Sequence, residues 1–187
     1  MDHHLDITLR PDVEFPAHQL LSALYAKLHR ALVRLDASHI GVSFPDVDTR
    51  APALGQRLRL HGRRNDLTAL MQIDWLTGMR DHANVGAPLP VPADAPHRHL
   101  RRVQAKSSPA RLRRRLMRRH DIDEATATQR IPDEAAELLR LPFIQLASAS
   151  TGQIYRVFIS HEKIQQQAVG GTFNTYGLSQ AATVPWF

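Results

Sequence analysis

Arginine dominates one short segment of the sequence, where its charge and geometry could bind a ligand. Residues 96–120 hold nine arginines, one lysine and three histidines, but no aspartate or glutamate. The arginine side chain ends in a planar fork of donors that can grip a phosphate or a base edge with two hydrogen bonds. Because the rest of the chain is close to neutral or acidic, this asymmetry indicates a polyanionic partner.

The core of this segment predicts a helix over residues 109–120, with Ser108 as its N-cap and Pro109 at its first position. Six arginines fall within nine of its residues, and like charges at helical spacing repel one another. A phosphate backbone would relieve this repulsion and release counterions. Nucleic acid is therefore favoured over a merely solvated basic face, a targeting signal or an acidic protein partner.

Two polar residues precede this helix in a segment, residues 101–107, that could be an extended arm. Arg102 and Gln104 lie two positions apart, so an extended backbone places them on one side. Arginine fits the O6/N7 edge of guanine, and glutamine fits the N6/N7 edge of adenine. The spacing alone favours the alternative, in which both are ordinary surface residues.

Histidine and serine are the remaining candidates for catalysis. His29 continues a helical stripe with Ser22 and Tyr25, beside a seam of leucines, and a lone helical histidine is usually structural. Ser148 and Ser150 share one face of a predicted strand. Neither serine lies in the G-x-S-x-G pattern of a nucleophile elbow, which argues against a hydrolase triad.

Metal and nucleotide motifs are sparse in the sequence. The close pairs His97 with His99 and Asp46 with Asp48 lie in polar loops without convincing partner ligands. The sequence carries no P-loop and no dinucleotide fingerprint. We therefore expect neither a metal nor a cofactor.

The elements that must position these residues differ between the two halves of the chain. Alternating strands are predicted at 5–10, 39–44 and 57–62, with a further extended piece near 84–91. Leucine spacing predicts a helix over 16–35, and Asn65 is the predicted cap of a helix over 66–79. The order β-α-β-β-α-β is the ferredoxin-like pattern, which many RNA-binding modules share.

The second half begins after a stiff segment with four prolines, residues 86–96. Beyond the arginine-rich helix, Asp123 is the predicted cap of a short helix, and a further helical turn is predicted at 133–140. Residues 143–150 and 153–160 flank Thr151-Gly152 and predict a hairpin. The fold class predicted for the whole chain is α+β.

Composition limits the class of protein. The chain has 187 residues, of which 43% are hydrophobic, a length and content typical of one ordinary domain or two small ones. No apolar run is long enough for a membrane span, and the N-terminus is too polar for a signal peptide. Cysteine is absent, which excludes disulfides and thiolate chemistry, and makes a cytoplasmic location the default expectation.

Together these features resemble one family, the CRISPR-associated endoribonucleases that process precursor CRISPR RNA in type I-F systems. The resemblance runs over nearly the whole chain. The segments that carry it are MDHHLDITLRPD at the start, KLHRAL around His29, IGVSFPD at 40–46, RVQAKSSPARLRRRLMRRHDI at 102–122, RIPD, LPF, STGQ, TYGLS and the terminal VPWF.

The resemblance implies two domains and an RNA partner. Residues 1–94 would be a ferredoxin-like (RRM-like) domain with the catalytic histidine, and residues 95–187 an α+β domain whose helix 109–120 binds an RNA hairpin. The partners would be the CRISPR repeat stem-loop, as precursor and as mature crRNA, and other subunits of the type I-F interference complex, with no membrane. The residues matching the family's RNA contacts are Arg102 and Gln104 for bases, Tyr155 for stacking, and Arg114, Arg115, Arg118, Arg119, His120 and Ser150 for phosphates.

The resemblance also implies the chemistry. His29 and Ser148 match the catalytic pair, and Tyr176 matches a tyrosine that orients the histidine. The ribose 2′-hydroxyl would attack its adjacent phosphate without a metal, leaving a 2′,3′-cyclic phosphate and a 5′-hydroxyl. Imidazole suits this task because its ordinary pKa of about 6.5 lies near working pH. Ser148 would hold the ribose in line.

Two alternatives remain open at this point. The first is a binding module with the same hairpin recognition and no useful cleavage. The second is a DNA-binding regulator, which would prefer duplex DNA. The chain also departs from the family pattern at His4, Ala181 and Ala182, where we expect tyrosine and two glycines. These departures bear on the preferred hairpin sequence more than on the reaction class.

Overall fold

A computed structural model describes residues 1–104, 109–132, 139–148 and 151–187. It combines helices with antiparallel sheets, which confirms the predicted α+β class. Among the described residues, none of the helices has the length and apolar character needed to cross a membrane. The cytoplasmic location stays a prediction.

The first half of the chain forms an antiparallel sheet in the order β2–β3–β1–β4. Its strands are β1 (His3–Leu9), β2 (Gly41–Ser43), β3 (Arg57–Gly62) and β4 (Ala83–Val85), and the short β5 (Leu89–Pro90) also pairs with β1. Leu5 lies opposite Leu60 and Ile7 opposite Leu58, so alternate residues of the central strands face the core. The strands expected from alternation at 5–10, 39–44 and 57–62 are confirmed.

The helix predicted from leucine spacing is α1 (Ala17–Leu35), which starts directly after Pro16. Its buried face consists of Leu20, Leu21, Leu24, Tyr25, Leu28, Ala31 and Leu32. Its C-cap is Asp36, which takes the left-handed conformation (φ 48°) that a short polar residue tolerates. This long, well-buried helix is the support on which His29 is mounted.

The second helix, α2 (Arg64–Gln72), differs from its prediction at both ends. It begins one residue before Asn65, so Asn65 is not its cap, and Arg63 at the cap position makes no side-chain hydrogen bond. It ends at Gln72 because the Asp74 carboxylate accepts a 2.6 Å hydrogen bond from the Thr77 hydroxyl, which favours a turn over continued helix. The apolar residues beyond it are still buried.

A second antiparallel sheet, in the order β7–β9–β8, contains β7 (Leu100–Val103), β8 (Phe143–Ala147) and β9 (Ile154–His161). The predicted hairpin is confirmed: β8 pairs with β9, and Gly152 in the turn has φ 66°, a conformation that favours glycine. The expected arm is a paired strand over residues 100–103, and residues 105–108 lie outside the described residues. The strands β6 (His97–Arg98) and β10 (Val184–Pro185) form a separate pair.

The arginine-rich helix is α3 (Pro109–His120), the range that the sequence predicts. It is followed by α4 (Glu124–Arg130), whose cap is Asp123 as expected, accepting a 2.8 Å hydrogen bond from the Thr126 amide. The predicted cap Ser108 lies outside the described residues, as do residues 133–138 of the predicted helical turn.

By Cα proximity, the chain groups into two compact units: residues 1–103 with 141–187, and residues 104–140. The core of the first unit joins residues of both sheets, such as Ile7, Ile144 and Val157, with residues of α1 such as Leu28. The second unit contains α3 and α4. The division into domains 1–94 and 95–187 stays a prediction.

Candidate active site and nucleic-acid interface

His29 lies half-buried on α1, with its imidazole held by the C-terminal part of the chain. Its Nδ1 is 2.8 Å from the backbone oxygen of Thr175. A carbonyl oxygen can only accept a hydrogen bond, so Nδ1 must carry the hydrogen. In the neutral ring, the lone pair is then on Nε2, which makes no hydrogen bond to any described residue. The geometry leaves Nε2 able to accept a proton.

Tyr176 covers one face of this imidazole. The two rings are stacked, with centroids 4.2 Å apart and planes within 6° of parallel. The backbone of Tyr176 is fixed on both sides: its amide donates to Asn174 Oδ1 at 2.9 Å, and its carbonyl accepts from the Tyr25 hydroxyl at 2.7 Å. The ring is therefore presented to His29 by an ordered loop.

The backbone of this loop requires the glycine at position 177. Gly177 has φ 69°, and a Cβ there would come within 2.5 Å of Val42 Cγ1. The Gly177 carbonyl accepts from the Val42 amide at 2.9 Å, which ties the loop to β2. Asn174 Oδ1 also accepts from the Leu178 amide at 3.2 Å. Only glycine fits this close approach and left-handed turn.

Tyr25 is a site residue whose role the sequence did not reveal. The pattern placed it beside the leucine seam with Ser22 and His29, and the structure buries it completely. Burial raises the pKa of its hydroxyl, so Tyr25 remains a hydrogen-bond donor to Tyr176. The sequence did contain one signal for this role. A tyrosine lies four residues before the candidate histidine, on a helix face that is otherwise apolar.

Two predicted RNA contacts converge on Tyr176. The hydroxyls of Tyr155 and Tyr176 are 3.1 Å apart, and the Arg102 guanidinium carbon is 5.1 Å from the centre of the Tyr176 ring. Burial, and then the hydrogen bond with Tyr176, raise the pKa of Tyr155. The structure thus brings together His29, Tyr176, Tyr155 and Arg102, which the sequence places on four separate segments.

The segment that carries Ser148 packs on α1 near His29. The Gln145 amide of β8 donates to Ser22 Oγ at 3.2 Å, which fixes this edge strand on the helix. A cavity of about 240 Å³ lies between the two elements where they do not touch. Its lining residues are Ala26, His29, Arg30, Val33, Leu146, Ala147 and Tyr155. Ser148 follows directly after Ala147, and its Oγ lies 3.4 Å from the Thr151 amide. Ser150 lies outside the described residues.

The arginine-rich helix α3 has no buried residue, and its apolar seam of Leu112, Leu116 and Met117 is half-buried. One shared cavity is lined by Arg111, Arg114, Arg115 and Arg118. Arg119 and His120 are exposed at the end of the helix, and Gln104 is exposed after β7. Arg113 Nε donates to the Ile131 backbone oxygen at 2.7 Å and so attaches α3 to the end of α4.

The terminal VPWF segment is anchored by an ion pair between the buried Arg59 and the half-buried Asp6. Arg59 binds both carboxylate oxygens of Asp6, at 2.6 and 2.9 Å, and donates to the Phe187 backbone oxygen at 2.7 Å. The Phe187 ring lies 4.0 Å from the Arg59 guanidinium carbon and meets the His4 ring edge-on. His4, one of the departures from the family pattern, therefore packs inside this anchor.

Three of the four residues in the candidate metal pairs are engaged in other contacts. Asp46 binds Arg57 at 2.7 Å, and Asp48 Oδ1 accepts from the Arg50 amide at 2.8 Å. His99 Nε2 lies 3.0 Å from the Ser179 backbone oxygen. In the described parts of the chain, no group of three or more histidine and carboxylate side chains could hold a metal ion.

Known proteins of one family are similar to this chain over nearly all of its length. Residues 4–187 match the family described as CRISPR-associated protein (Cas_Csy4). A curated protein from Pseudomonas aeruginosa (strain UCBPP-PA14), named CRISPR-associated endonuclease Cas6/Csy4, is 56% identical over 187 residues, covering all of both chains. A protein of the same name from Escherichia coli (strain UTI89 / UPEC) is 42% identical over the same full span.

Proposed function

Since the chain belongs to the Cas_Csy4 family of CRISPR-associated proteins, we propose that it is a metal-independent endoribonuclease. Its substrate is precursor CRISPR RNA, and it cuts at the 3′ base of the repeat stem-loop. The observation that carries this proposal is the fixed tautomer of His29, whose Nδ1 faces the Thr175 carbonyl at 2.8 Å while Tyr176 is stacked on the ring.

In the proposed reaction, His29 Nε2 takes the proton of the ribose 2′-hydroxyl. The 2′ oxygen attacks the adjacent phosphorus, and the bond from phosphorus to the 5′ oxygen of the next nucleotide breaks. That oxygen takes up a proton from solvent water and leaves as a 5′-hydroxyl, while the other product ends in a 2′,3′-cyclic phosphate. Proton transfer by a positioned side chain of this kind contributes about 10²–10⁴-fold to the rate.

Tyr176 and Ser148 act by positioning in this scheme. The Tyr176 ring restricts rotation of the imidazole, and its π face favours the cation that forms when His29 is protonated. Ser148 holds the ribose so that the 2′ oxygen, the phosphorus and the leaving oxygen lie in line. Small displacements in such a geometry are costly, which gives weight to the Ser22 contact that fixes β8 on α1.

Hairpin recognition has two parts, contacts to bases and contacts to phosphates. Arg102 and Gln104 bind base edges at the foot of the stem, and Tyr155 stacks on the bottom base pair. The exposed face of α3 neutralises phosphates through Arg114, Arg115, Arg118, Arg119 and His120, together with Ser150. The cavity shared by the first three of these arginines and Arg111 supports this assignment, because it concentrates positive charge on one face.

The proposal includes the architecture and the partners. Residues 1–94 form a ferredoxin-like domain, which the element order β-α-β-β-α-β and the strand order β2–β3–β1–β4 support. Residues 95–187 form the hairpin-binding domain. The product hairpin stays bound after cleavage, so the protein remains on mature crRNA as a subunit of the type I-F interference complex in the cytoplasm.

The test is cleavage of a repeat hairpin in excess EDTA, with analysis of the product ends. We expect cleavage at one phosphate, with a cyclic phosphate on one fragment and a 5′-hydroxyl on the other. An unfolded RNA of the same base composition is the control and should remain intact. Tight binding without cleavage would contradict this proposal and favour the non-cleaving binding module. A preference for duplex DNA would favour the DNA-binding regulator.

A further inference from the structure

A second basic surface lies on α1, beyond His29. Lys27, Arg30 and Arg34 follow one another at helical spacing and line a cavity of about 250 Å³. Ala31 of the same helix also lines it, and the other wall is the turn after α2, from Ile73 to Trp75 with Thr77. Arg30 and Arg34 are exposed, and Lys27 is half-buried.

The positive charge of this surface is not neutralised by the protein. Within the described residues, neither Arg30 nor Arg34 forms an ion pair or a side-chain hydrogen bond. The one carboxylate of the cavity, Asp74, is bound by the Thr77 hydroxyl at 2.6 Å and lies 3.5 Å from Arg80. Lys27 acts on Asp74 only as a weaker, more distant charge. The surface therefore carries a net positive charge facing solvent.

Helix stability does not explain the arrangement. A cation in the last turn, such as Arg34, interacts favourably with the helix dipole, but Lys27 and Arg30 lie too far from that end. Arg30 and Arg34 are four residues apart, a spacing at which like charges destabilise a helix. An anion in the cavity would remove this cost.

The basic surface is continuous with the candidate active site through Arg30. This residue lines both the cavity that contains His29 and Tyr155 and the cavity that contains Lys27 and Arg34. In the proposed reaction, Tyr155 supports the last base pair of the stem at one wall of the first cavity. The nucleotides on the other side of the scissile phosphate must leave that cavity, and Arg30 lies at its junction with the second.

We propose that Lys27, Arg30 and Arg34 bind the sugar-phosphate backbone of the RNA strand 3′ of the cleaved bond. This inference rests on the proposed function and names a binding subsite for the part of the precursor that departs. The three residues span about 10 Å along the helix, a length that fits about two phosphate contacts. The contacts are electrostatic, so the subsite binds the flank whatever its sequence.

The test compares two hairpins, each made non-cleavable by one 2′-deoxy nucleotide before the scissile phosphate. One ends immediately after that phosphate, and the other continues for about ten nucleotides of single strand. Affinities are measured at 50 and 200 mM salt for the wild type, Arg30→Gln/Arg34→Gln and Arg30→Lys/Arg34→Lys. The matched control is Arg63→Gln/Arg64→Gln, which removes two positive charges from the start of α2 instead.

We expect the wild type to bind the flanked hairpin more tightly, by a factor that falls as salt rises. Loss of two single-strand phosphate contacts lowers the slope of log K against log salt by about 1.4. Between 50 and 200 mM salt, this slope corresponds to about a sevenfold change in affinity. The flank's contribution should therefore nearly vanish in Arg30→Gln/Arg34→Gln. It should be largely restored in the lysine variant, which keeps the charge, and be unchanged in the α2 control. Thermal unfolding of each variant checks that the fold is kept.

Three outcomes would overturn the inference. A glutamine variant that keeps the wild-type ratio would show that these arginines do not contact the flank. Equal losses on both hairpins would mean that they act on the stem or on overall charge. If the wild type bound the two hairpins with equal affinity, the surface would not bind the flank, and an acidic protein partner would be favoured instead. Failure of the wild type to bind the hairpin at all would instead overturn the proposed function.

Discussion

The imidazole of His29 lies flat on the phenol ring of Tyr176, with ring centroids 4.2 Å apart and planes within 6° of parallel. This contact joins α1 to a loop 147 residues later in the chain, and the hydrogen bond to Thr175 joins the same two segments. One face and one edge of the imidazole are therefore fixed by the fold. The remaining edge, with Nε2, is the part that can act on a substrate.

Replacing His29 with alanine should remove the proton acceptor and leave hairpin binding nearly intact. We expect the single-turnover cleavage rate to fall by about 10²–10⁴-fold, the usual contribution of general-base catalysis. Rapid mixing with labelled hairpin gives the rate, and a filter-binding assay gives the affinity. Parallel loss of binding and cleavage would show that His29 holds the RNA or the fold and is not the base.

The Tyr155 hydroxyl should matter for catalysis more than for binding. Tyr155→Phe keeps the ring for stacking but removes the 3.1 Å hydrogen bond to Tyr176. We expect the cleavage rate to fall about fivefold, equivalent to about 1 kcal/mol for one hydrogen bond, with little change in affinity. Tyr155→Leu is the comparison, because it also removes the ring. If the phenylalanine variant lost as much affinity as the leucine variant, the hydroxyl would belong to RNA binding.

Neighbouring arginines of α3 should have different roles. Arg115 is exposed and lines the shared basic cavity, whereas Arg113 donates to the Ile131 carbonyl. Arg115→Ala should weaken hairpin binding and reduce the slope of log K against log salt by about 0.7–0.9 for one lost phosphate contact. Arg113→Ala should mainly lower the thermal stability of the unit formed by residues 104–140.

Titration of binding with salt, together with thermal unfolding, separates these two effects. An unchanged salt slope in Arg115→Ala would argue against a phosphate contact. A variant of Arg113 as stable as the wild type would argue that its bond to Ile131 contributes nothing to the fold.

Stability should fall between pH 6.5 and about pH 4, because two buried histidines resist protonation. Burial, helped by the nearby Arg98 guanidinium, lowers the pKa of His161 from 6.5 to about 4, and burial lowers the pKa of His61 well below 6.5. The unfolded chain takes up these protons near pH 6.5 and the folded chain does not, so acid favours unfolding throughout this window.

Thermal unfolding from pH 7 to pH 4.5 measures this effect. His161→Gln should flatten the dependence of Tm on pH, whatever its effect on Tm itself. Carboxylates such as Asp12, whose pKa is lowered below 3.8 by the Phe15 and Glu14 amides, stabilise the fold above that pH and lose their contribution only in stronger acid. A Tm that stayed constant down to pH 4.5 would contradict the assignment to the histidines.

Local patterns predicted most of the elements, because their causes lie within the elements themselves. Leucines at helical spacing predicted α1, and alternation around Thr151-Gly152 predicted the hairpin of β8 and β9. The predicted end of α2 was wrong, because the turn between Asp74 and Thr77 depends on one side-chain hydrogen bond that competes with the helix.

The site was much less accessible to sequence reasoning. Tyr25 and Tyr176 are 151 residues apart, and the hydrogen bond between them depends on how distant segments pack. Spacing alone predicts a structural role for His29 and a surface position for Arg102. The family resemblance made both of them candidates, and the structure shows that each contacts the Tyr176 ring.

The central claim is that the RNA's own 2′-hydroxyl, activated by His29, cuts the strand. It is tested most directly by two repeat hairpins in excess EDTA that differ by one oxygen, the 2′-hydroxyl of the nucleotide before the scissile phosphate. We predict complete cleavage of the ribose substrate and no cleavage of the deoxy substrate, which should still bind. Cleavage of both at similar rates would mean that another nucleophile attacks the phosphate, and would contradict the account.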